Sequence, residues 1–172
     1  GVLPPPKERE VKFLPYAYLG QSEASVKEVT ARAGLDLRYA ITSQLTLVGT
    51  INPDFENVEQ AVEGIDFSYG ARFVPDRRPF FLEGQNIFRL WEFYDSRQIA
   101  DMDAGISLFG KVSHHTSAGA LGTFHQKGDY NLLLRTFHSP GAATNVGAAY
   151  VGRRDDSGMN SMAFLEGETR RG

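Results

Sequence analysis

Cysteine is absent from the 172 residues, which excludes a disulfide framework and every thiolate metal site. No apolar run approaches the roughly 20 residues that a membrane-spanning helix needs. Nor is there a basic excess: 18 Lys and Arg stand against 21 Asp and Glu, a formal net charge of −3. Phosphate backbones are bound through cationic surface that displaces counterions, so nucleic acid is not an expected partner. The motifs of nucleophilic, nucleotide and zinc-protease chemistry are missing as well, with no G-x-S-x-G, no G-x-x-x-x-G-K-[ST] and no H-E-x-x-H. Serines are present, but no spacing pairs one of them with a histidine, and the enzyme reading is weak. The chain opens at Gly1 without a charged-then-apolar leader. It closes on Glu168, Thr169, Arg170, Arg171 and Gly172 without a terminal aromatic. Both ends read as cut, so the expected unit is a fragment.

Aromatic residues are plentiful, with 12 Phe, 7 Tyr and 1 Trp, and this argues against disorder. Residues 1–10 hold Pro4, Pro5 and Pro6 among mixed charges, a composition that suits a linker or extended lead-in. From Val11 onward the pattern has period two. Ala31, Ala33, Leu35, Leu37 and Tyr39 fall on one face of an extended chain, and Arg32, Gly34, Asp36 and Arg38 on the other. Ile65, Phe67, Tyr69, Ala71 and Phe73 alternate likewise with Asp66, Ser68, Gly70 and Arg72. Leu45, Leu47 and Ile51 oppose Thr46, Thr50 and Asn52, with Val48 out of pattern; Ala104, Ile106, Leu108 and Val112 oppose Asp103, Ser107 and Lys111. A helix would scatter these apolar residues around its surface.

Short polar segments separate the runs, as hairpin turns would: Thr42 to Gln44, His114 to Thr116, Lys127-Gly128, Ser139 to Gly141, and Asp155 to Gly158. The spacing predicts about ten antiparallel strands of roughly 8–11 residues, the length a tilted strand needs to cross a bilayer. The expected fold is therefore an all-β antiparallel meander over residues 11–172, part of a transmembrane outer-membrane β-barrel. A soluble β-sandwich alternates in the same way and is the competing architecture. Charges in mid-strand (Asp36 with Arg38, Asp66 with Arg72) favour a barrel with a watery lumen and membrane lipid as the partner of its other face. Aromatics near strand ends, among them Phe13, Tyr16, Tyr18, Tyr39, Tyr69, Phe73, Phe80, Phe81, Trp91, Phe93 and Tyr94, suit the interfacial girdles of such a barrel, though a soluble fold would use them as core.

The most specific run is Asn52-Pro53-Asp54-Phe55 with Val58-Glu59, followed by Phe73-Val74-Pro75-Asp76-Arg77-Arg78-Pro79-Phe80-Phe81-Leu82-Glu83-Gly84. It resembles the N-P-D-F-x-x-V-E and F-x-P-E-K-R-P-F-F-L-E-G signature of a large bacterial outer-membrane family of unassigned function. Phe13 to Tyr16, Gly34-Leu35-Asp36 and Tyr94 to Ile99 resemble it too. The chain departs from the pattern in carrying Asp76-Arg77 for Glu-Lys, and Ala61 near where a second acid is frequent. In that family the barrel commonly follows a domain similar to family 9 carbohydrate-binding modules. The resemblance thus implies an outer-membrane location and, through a preceding module, glycan as a possible partner in binding or uptake. An envelope hydrolase with its active residues partly outside this stretch is the alternative.

Candidate site residues follow from the same segment. Asp54, Glu56 and Glu59 offer the oxygens a Ca²⁺ ion takes, but no EF-hand spacing accompanies them, and no cofactor is otherwise expected. Asn52, Asp54, Glu59, Arg77, Arg78 and Glu83 form the expected polar latch: Asn52 and Asp54 turn the chain, and the arginines grip carboxylates such as Glu59 and Glu83 in bidentate fashion. Such a latch would hold an inward-folded segment against the barrel wall, lining a solute path or fixing register. If Lys127-Gly128 is a turn, His138 returns beside His115.

Overall fold

A run that alternates between two chemistries satisfies both only when extended, because successive side chains of a strand point to opposite faces. The computed structural model describes residues 10–22, 28–53, 79–88, 90, 99, 102–141 and 144–169. Among them, eight strands form a single sheet, and every strand pairs antiparallel with the next in sequence. The strands are β1 (Val11–Ser22), β2 (Glu28–Ala40), β3 (Leu45–Ile51), β4 (Ala104–Lys111), β5 (Thr116–Phe124), β6 (Tyr130–Gly141), β7 (Thr144–Asp155) and β8 (Gly158–Thr169). Two single helical turns, α1 (Pro79–Leu82) and α2 (Gln85–Phe88), lie in the long connection from β3 to β4. β1 and β8 are the two edges, so the described residues make an open meander. Among the described residues no helix is long and apolar enough to cross a membrane.

The expected all-β antiparallel meander is thus present. Eight strands lie among the described residues, and the alternating run at 64–73, counted toward the expected ten or so, lies outside them. A correction concerns Ser139, Pro140 and Gly141. They belong to β6, whose register shifts between His138 and Gly141 to absorb the irregularity. A bulge accommodates a proline without a ladder donor, so the residues that punctuate a turn here extend a strand.

Directly opposed residues of an antiparallel pair share a face, and the registers therefore sort the side chains. One row runs Arg38, Val48, Ser107, Leu121, Leu133, Val151, Met162. Its neighbour one residue along runs Leu37, Gly49, Ile106, Gly122, Leu132, Gly152, Ser161 on the opposite face. Continued over the sheet, this places Lys12, Asp36, Arg38, Lys111, Arg135, Arg153, Glu166 and Glu168 on the first face, here termed inner. The second, outer face holds Phe13, Leu35, Leu37, Leu45, Ile106, Leu108, Leu132, Leu134, Val146 and Leu165. Among the described side chains Arg154 is its one charged strand residue, at the end of β7.

The core lies between the inner face and the β3–β4 connection. Phe80, Phe81, Ile87, Phe88, Leu90, Ile99 and Met102 pack on Val48, Leu121, Leu133 and Ala149. Val48, out of pattern among outward Leu45, Leu47 and Ile51, faces inward under this segment and is buried. Of the two uses open to Phe80 and Phe81, girdle or core, the structure shows core: both are buried and meet edge to face, with ring centroids 5.1 Å apart. Burying four such side chains as Phe80, Phe81, Ile87 and Phe88 contributes roughly 1.5–3 kcal/mol apiece, which holds the two isolated turns where propensity alone would not.

Two inner-face glycines shape the seat. A Cβ on Gly105 would lie 2.7 Å from the Phe80 ring, and one on Gly119 would lie 2.5 Å from Cγ2 of Ile87. On the outer face, a Cβ on Gly122 would meet the Phe124 ring at 3.6 Å, an ordinary contact. The two glycines separate packing roles within one strand. Gly119→Val is expected to destabilise the folded chain by roughly 2–3 kcal/mol through overpacking, whereas Gly122→Ala leaves the denaturant midpoint nearly unchanged. Equal midpoints for the two variants would remove the seat from the account.

Candidate functional site

The inner face concentrates the polar chemistry, and Arg135 on β6 is its most engaged group. Its Nε donates to Glu166 Oε1 at 2.7 Å and one terminal nitrogen donates to Oε2 at 2.6 Å, a bidentate pair between β6 and β8. The other terminal nitrogen donates to the carbonyl oxygen of Ile87 at 2.8 Å. A single helical turn leaves its carbonyls without intrahelical partners, and this guanidinium supplies one donor for α2. The guanidinium also lies 4.1 Å from the centroid of the Phe137 ring. Its side chain is only 8% exposed against 29% for Glu166, so charge, carbonyl and aromatic face are held together largely out of water.

A second contact ties the segment to the other side of the sheet. Arg38 on β2 forms an ion pair with Glu83, which sits between α1 and α2. With side chains 47% and 31% exposed, this pair is worth at most about 1 kcal/mol. Nearby, the Thr50 hydroxyl donates to Asp36 at 2.6 Å. Asn52 marks the place where the chain leaves β3. Its φ of +49° is left-handed, a conformation asparagine tolerates better than most. Its side-chain amide donates to the Ala33 carbonyl, its backbone N–H donates to Asp103, and its carbonyl accepts from the Tyr16 hydroxyl. Asn52 thus ties β1, β2 and the start of β4 at one corner.

Of the residues expected in the latch, the structure places Asn52 and Glu83, and it places them apart: one at the corner, the other on Arg38. Asp54, Glu59, Arg77 and Arg78 lie outside the described residues, as does Glu56 among the candidate calcium ligands. Among the described residues no three His, Asp or Glu side chains gather as metal ligands would. His138 does return beside His115, with ring centroids 6.5 Å apart, and its Nδ1 lies 3.1 Å from the Thr116 hydroxyl. Arg135 and Glu166 escape a reading of the sequence because each sits singly in an apolar run, Leu132-Leu133-Leu134-Arg135 and Phe164-Leu165-Glu166. The available signal was their parity: both fall on the charged side of the alternation.

Residues 8–116 match the family model described as Domain of unknown function (DUF5916), well over half of the chain. The chain belongs to this family. No curated protein and no solved structure matches it. The DUF5916 match spans β1 to β4 with the seated segment and ends at Thr116, where β5 begins. The Arg38–Glu83 anchor therefore lies within the matched DUF5916 region, while Arg135 and Glu166 lie beyond it.

The Arg135 arrangement makes its own prediction. Arg135→Met strands a partly buried carboxylate and frees the Ile87 carbonyl, at an expected cost of about 2–4 kcal/mol. Adding Glu166→Gln to it should restore much of that loss, because no uncompensated charge remains. Chemical denaturation of the two variants measures both values, and a double variant as weak as the single one would show that the charge pair is not the cause.

Proposed function

We propose that this DUF5916 chain forms part of the wall of a β-barrel in the bacterial outer membrane, with its charged inner face toward the lumen and its apolar face toward lipid. One observation carries the reading. The outer face is eight strands wide; among the described side chains its strands are free of charge except for Arg154 at a strand end, and no described element packs over it. Phe13 is 64% exposed there, Ile106 49% and Leu165 86%. An apolar surface of that breadth is untenable in water and suits hydrocarbon. β6, β7 and β8 each have 12 residues; at roughly 3.3 Å per residue and a tilt near 40°, such strands span about 30 Å. Strand order by sequence supports the same architecture. A soluble β-sandwich would set a second sheet over the apolar face, yet the described connection covers the charged one.

In this reading α1 and α2 narrow the lumen, and the protein works by non-enzymatic binding or passage of a solute. The glycan part is supported by the signature carried by Asn52 to Glu59 and Phe73 to Gly84, which resembles a family whose barrel follows a carbohydrate-binding module. The inner face adds a cleft of about 440 Å³ lined by Ser117, Phe137, Asn145 and the Arg135–Glu166 pair. Hydroxyl, amide and carboxylate groups around an aromatic ring suit a polyhydroxylated solute.

Because the chain has no native cysteine, single substitutions report on each face without background. Spin labels at Ile106→Cys, Leu134→Cys and Leu165→Cys in the vesicle-reconstituted chain should be relaxed by molecular oxygen and shielded from a water-soluble nickel chelate. Labels at Ser117→Cys and Asn145→Cys should show the reverse. Free access of the chelate to the first three positions would refute the barrel.

A further inference from the structure

The fold sorts the four histidines of the chain to opposite ends of β5. His125 follows the last residue of that strand and meets Asp103 at 3.8 Å. His114 and His115 lie in the β4–β5 turn at the other end, and β6 brings His138 back to them. Thr116 opposes His138 in the register, so both side chains share the outer face at its rim. One step further on, the N–H of Ser139 donates to the carbonyl oxygen of His115 at 2.8 Å. The two backbones therefore stay paired past the first residue of β5. The His115 and His138 rings are thereby held with centroids 6.5 Å apart and planes at 69°.

Three further features mark this pair. The register shift of β6 begins directly after His138, and such irregularities re-aim side chains at sheet rims. His138 Nδ1 lies 3.1 Å from the Thr116 hydroxyl. With Nδ1–H donating to that oxygen, Nε2 carries the lone pair and is free for a ligand bond, the tautomer that a second partner commonly fixes in metal-binding histidines. Both residues are exposed, so an ion reaches them from solvent and the rings can turn toward it.

We infer that His115 and His138 form a two-imidazole chelate for a first-row transition-metal cation, with Cu²⁺ held most tightly. Neutral imidazole suits zinc, nickel and copper, and affinity at nitrogen sites peaks at Cu²⁺. Ca²⁺ and Mg²⁺ take oxygen ligands and are poorly served by two ring nitrogens. Nitrogens on one ion lie about 2.0–2.1 Å from it, so the rings close on each other by roughly an ångström. No third His, Asp or Glu gathers with the pair among the described residues. The remaining positions go to water or to donor atoms of a solute, as in an open metal site. The inference stands on the pairing of β5 with β6 and does not depend on the barrel reading.

The test titrates Cu²⁺ into the folded full chain in a non-ionic detergent, read by calorimetry and by electron paramagnetic resonance. Bound to wild type, the ion should show the nitrogen hyperfine pattern of two imidazoles; a one-nitrogen spectrum overturns the chelate without any variant. A second bond to an ion already held raises affinity on the order of a hundredfold. His115→Gln and His138→Gln should each lose about that factor, and the double variant should lose no more than either. Histidines that bind independently would keep their affinity in each single variant and lose one site apiece, which overturns the pair. His114→Gln should bind as wild type does; a loss equal to that of His115→Gln moves the site into the turn and overturns the cross-strand assignment. All three side chains are exposed, and equal melting of the metal-free variants checks that their folds are intact. A chain soluble without detergent would sink the barrel reading yet take the same titration in plain buffer, so the two failures are distinct.

Discussion

A carboxylate or guanidinium without a partner in apolar surroundings costs several kcal/mol, and among the described side chains the strands keep charge and the broad apolar surface on opposite faces. Strand charge collects on the inner face, and the exception sits at a strand end beside Tyr130. Such sorting leaves no freedom of register. A slip of one residue between β6 and β7 would turn Arg135 outward and Leu134 inward, and the same exchange would follow at each hairpin. Short turns from β2 to β3, β4 to β5, β5 to β6 and β7 to β8 limit that freedom, and the irregularity in β6 is confined to its last residues between His138 and Gly141, beyond the region where Arg135 must point inward.

The inner face meets a second demand, because it is not uniformly polar. Val48, Leu121, Leu133 and Ala149 form an apolar patch in its middle, and water cannot satisfy them. The β3–β4 connection covers this patch with seven buried apolar side chains among the described residues, and the charges at its margins anchor the cover. The two anchors differ in kind. Arg38 and Glu83 are half in solvent and direct the segment more than they stabilise it. Arg135 is withdrawn from water and contacts a carboxylate, a carbonyl and a ring at once. Replacing such a buried pair by apolar groups of equal volume is often neutral for stability. Its contribution is positional: with the guanidinium held by Glu166 and the Phe137 ring, its remaining nitrogen fixes where the Ile87 carbonyl sits.

Much of this was legible in the sequence. Period-two runs at 30–39, 45–52 and 103–112 gave β2, β3 and β4 with the correct faces. Turns at Thr42 to Gln44, Lys127-Gly128 and Asp155 to Gly158 carry their own local chemistry, since Thr42 and Asp155 accept backbone N–H groups two or three residues on. What escaped depends on long-range packing. Val48 looked anomalous because its partner, the segment around Phe80, lies some thirty residues ahead. Phe80 and Phe81 have the composition of either a girdle or a core, and only their burial against the inner face, with Phe80 over Gly105, decides between them. Ser139-Pro140-Gly141 has turn composition, but a bulge can accommodate it within a strand. The signature around Asn52 and Phe80 identified a distinctive segment, while the partners of Glu83 and Ile87, Arg38 and Arg135, were set by strand order rather than by any local motif.

A mean hydropathy of −0.31 describes a two-faced sheet poorly, because it averages a charged face with an apolar one. The informative quantity is which face the chain covers with its own residues. A sheet folding in water gains most by laying its spare segment over the more apolar face. Here the described segment lies over the charged face, and among the described residues nothing covers the face whose one strand charge is Arg154. That choice lowers the free energy only if the bare face finds apolar surroundings elsewhere. Had the sheet folded to be covered by a second protein layer, the charged side would have no need of an aromatic insert seated on glycines and pinned by an arginine. The insert covers the apolar patch of the charged face, and under the proposed barrel reading the exposed Leu, Ile and Phe side chains of the other face are the surface left for lipid.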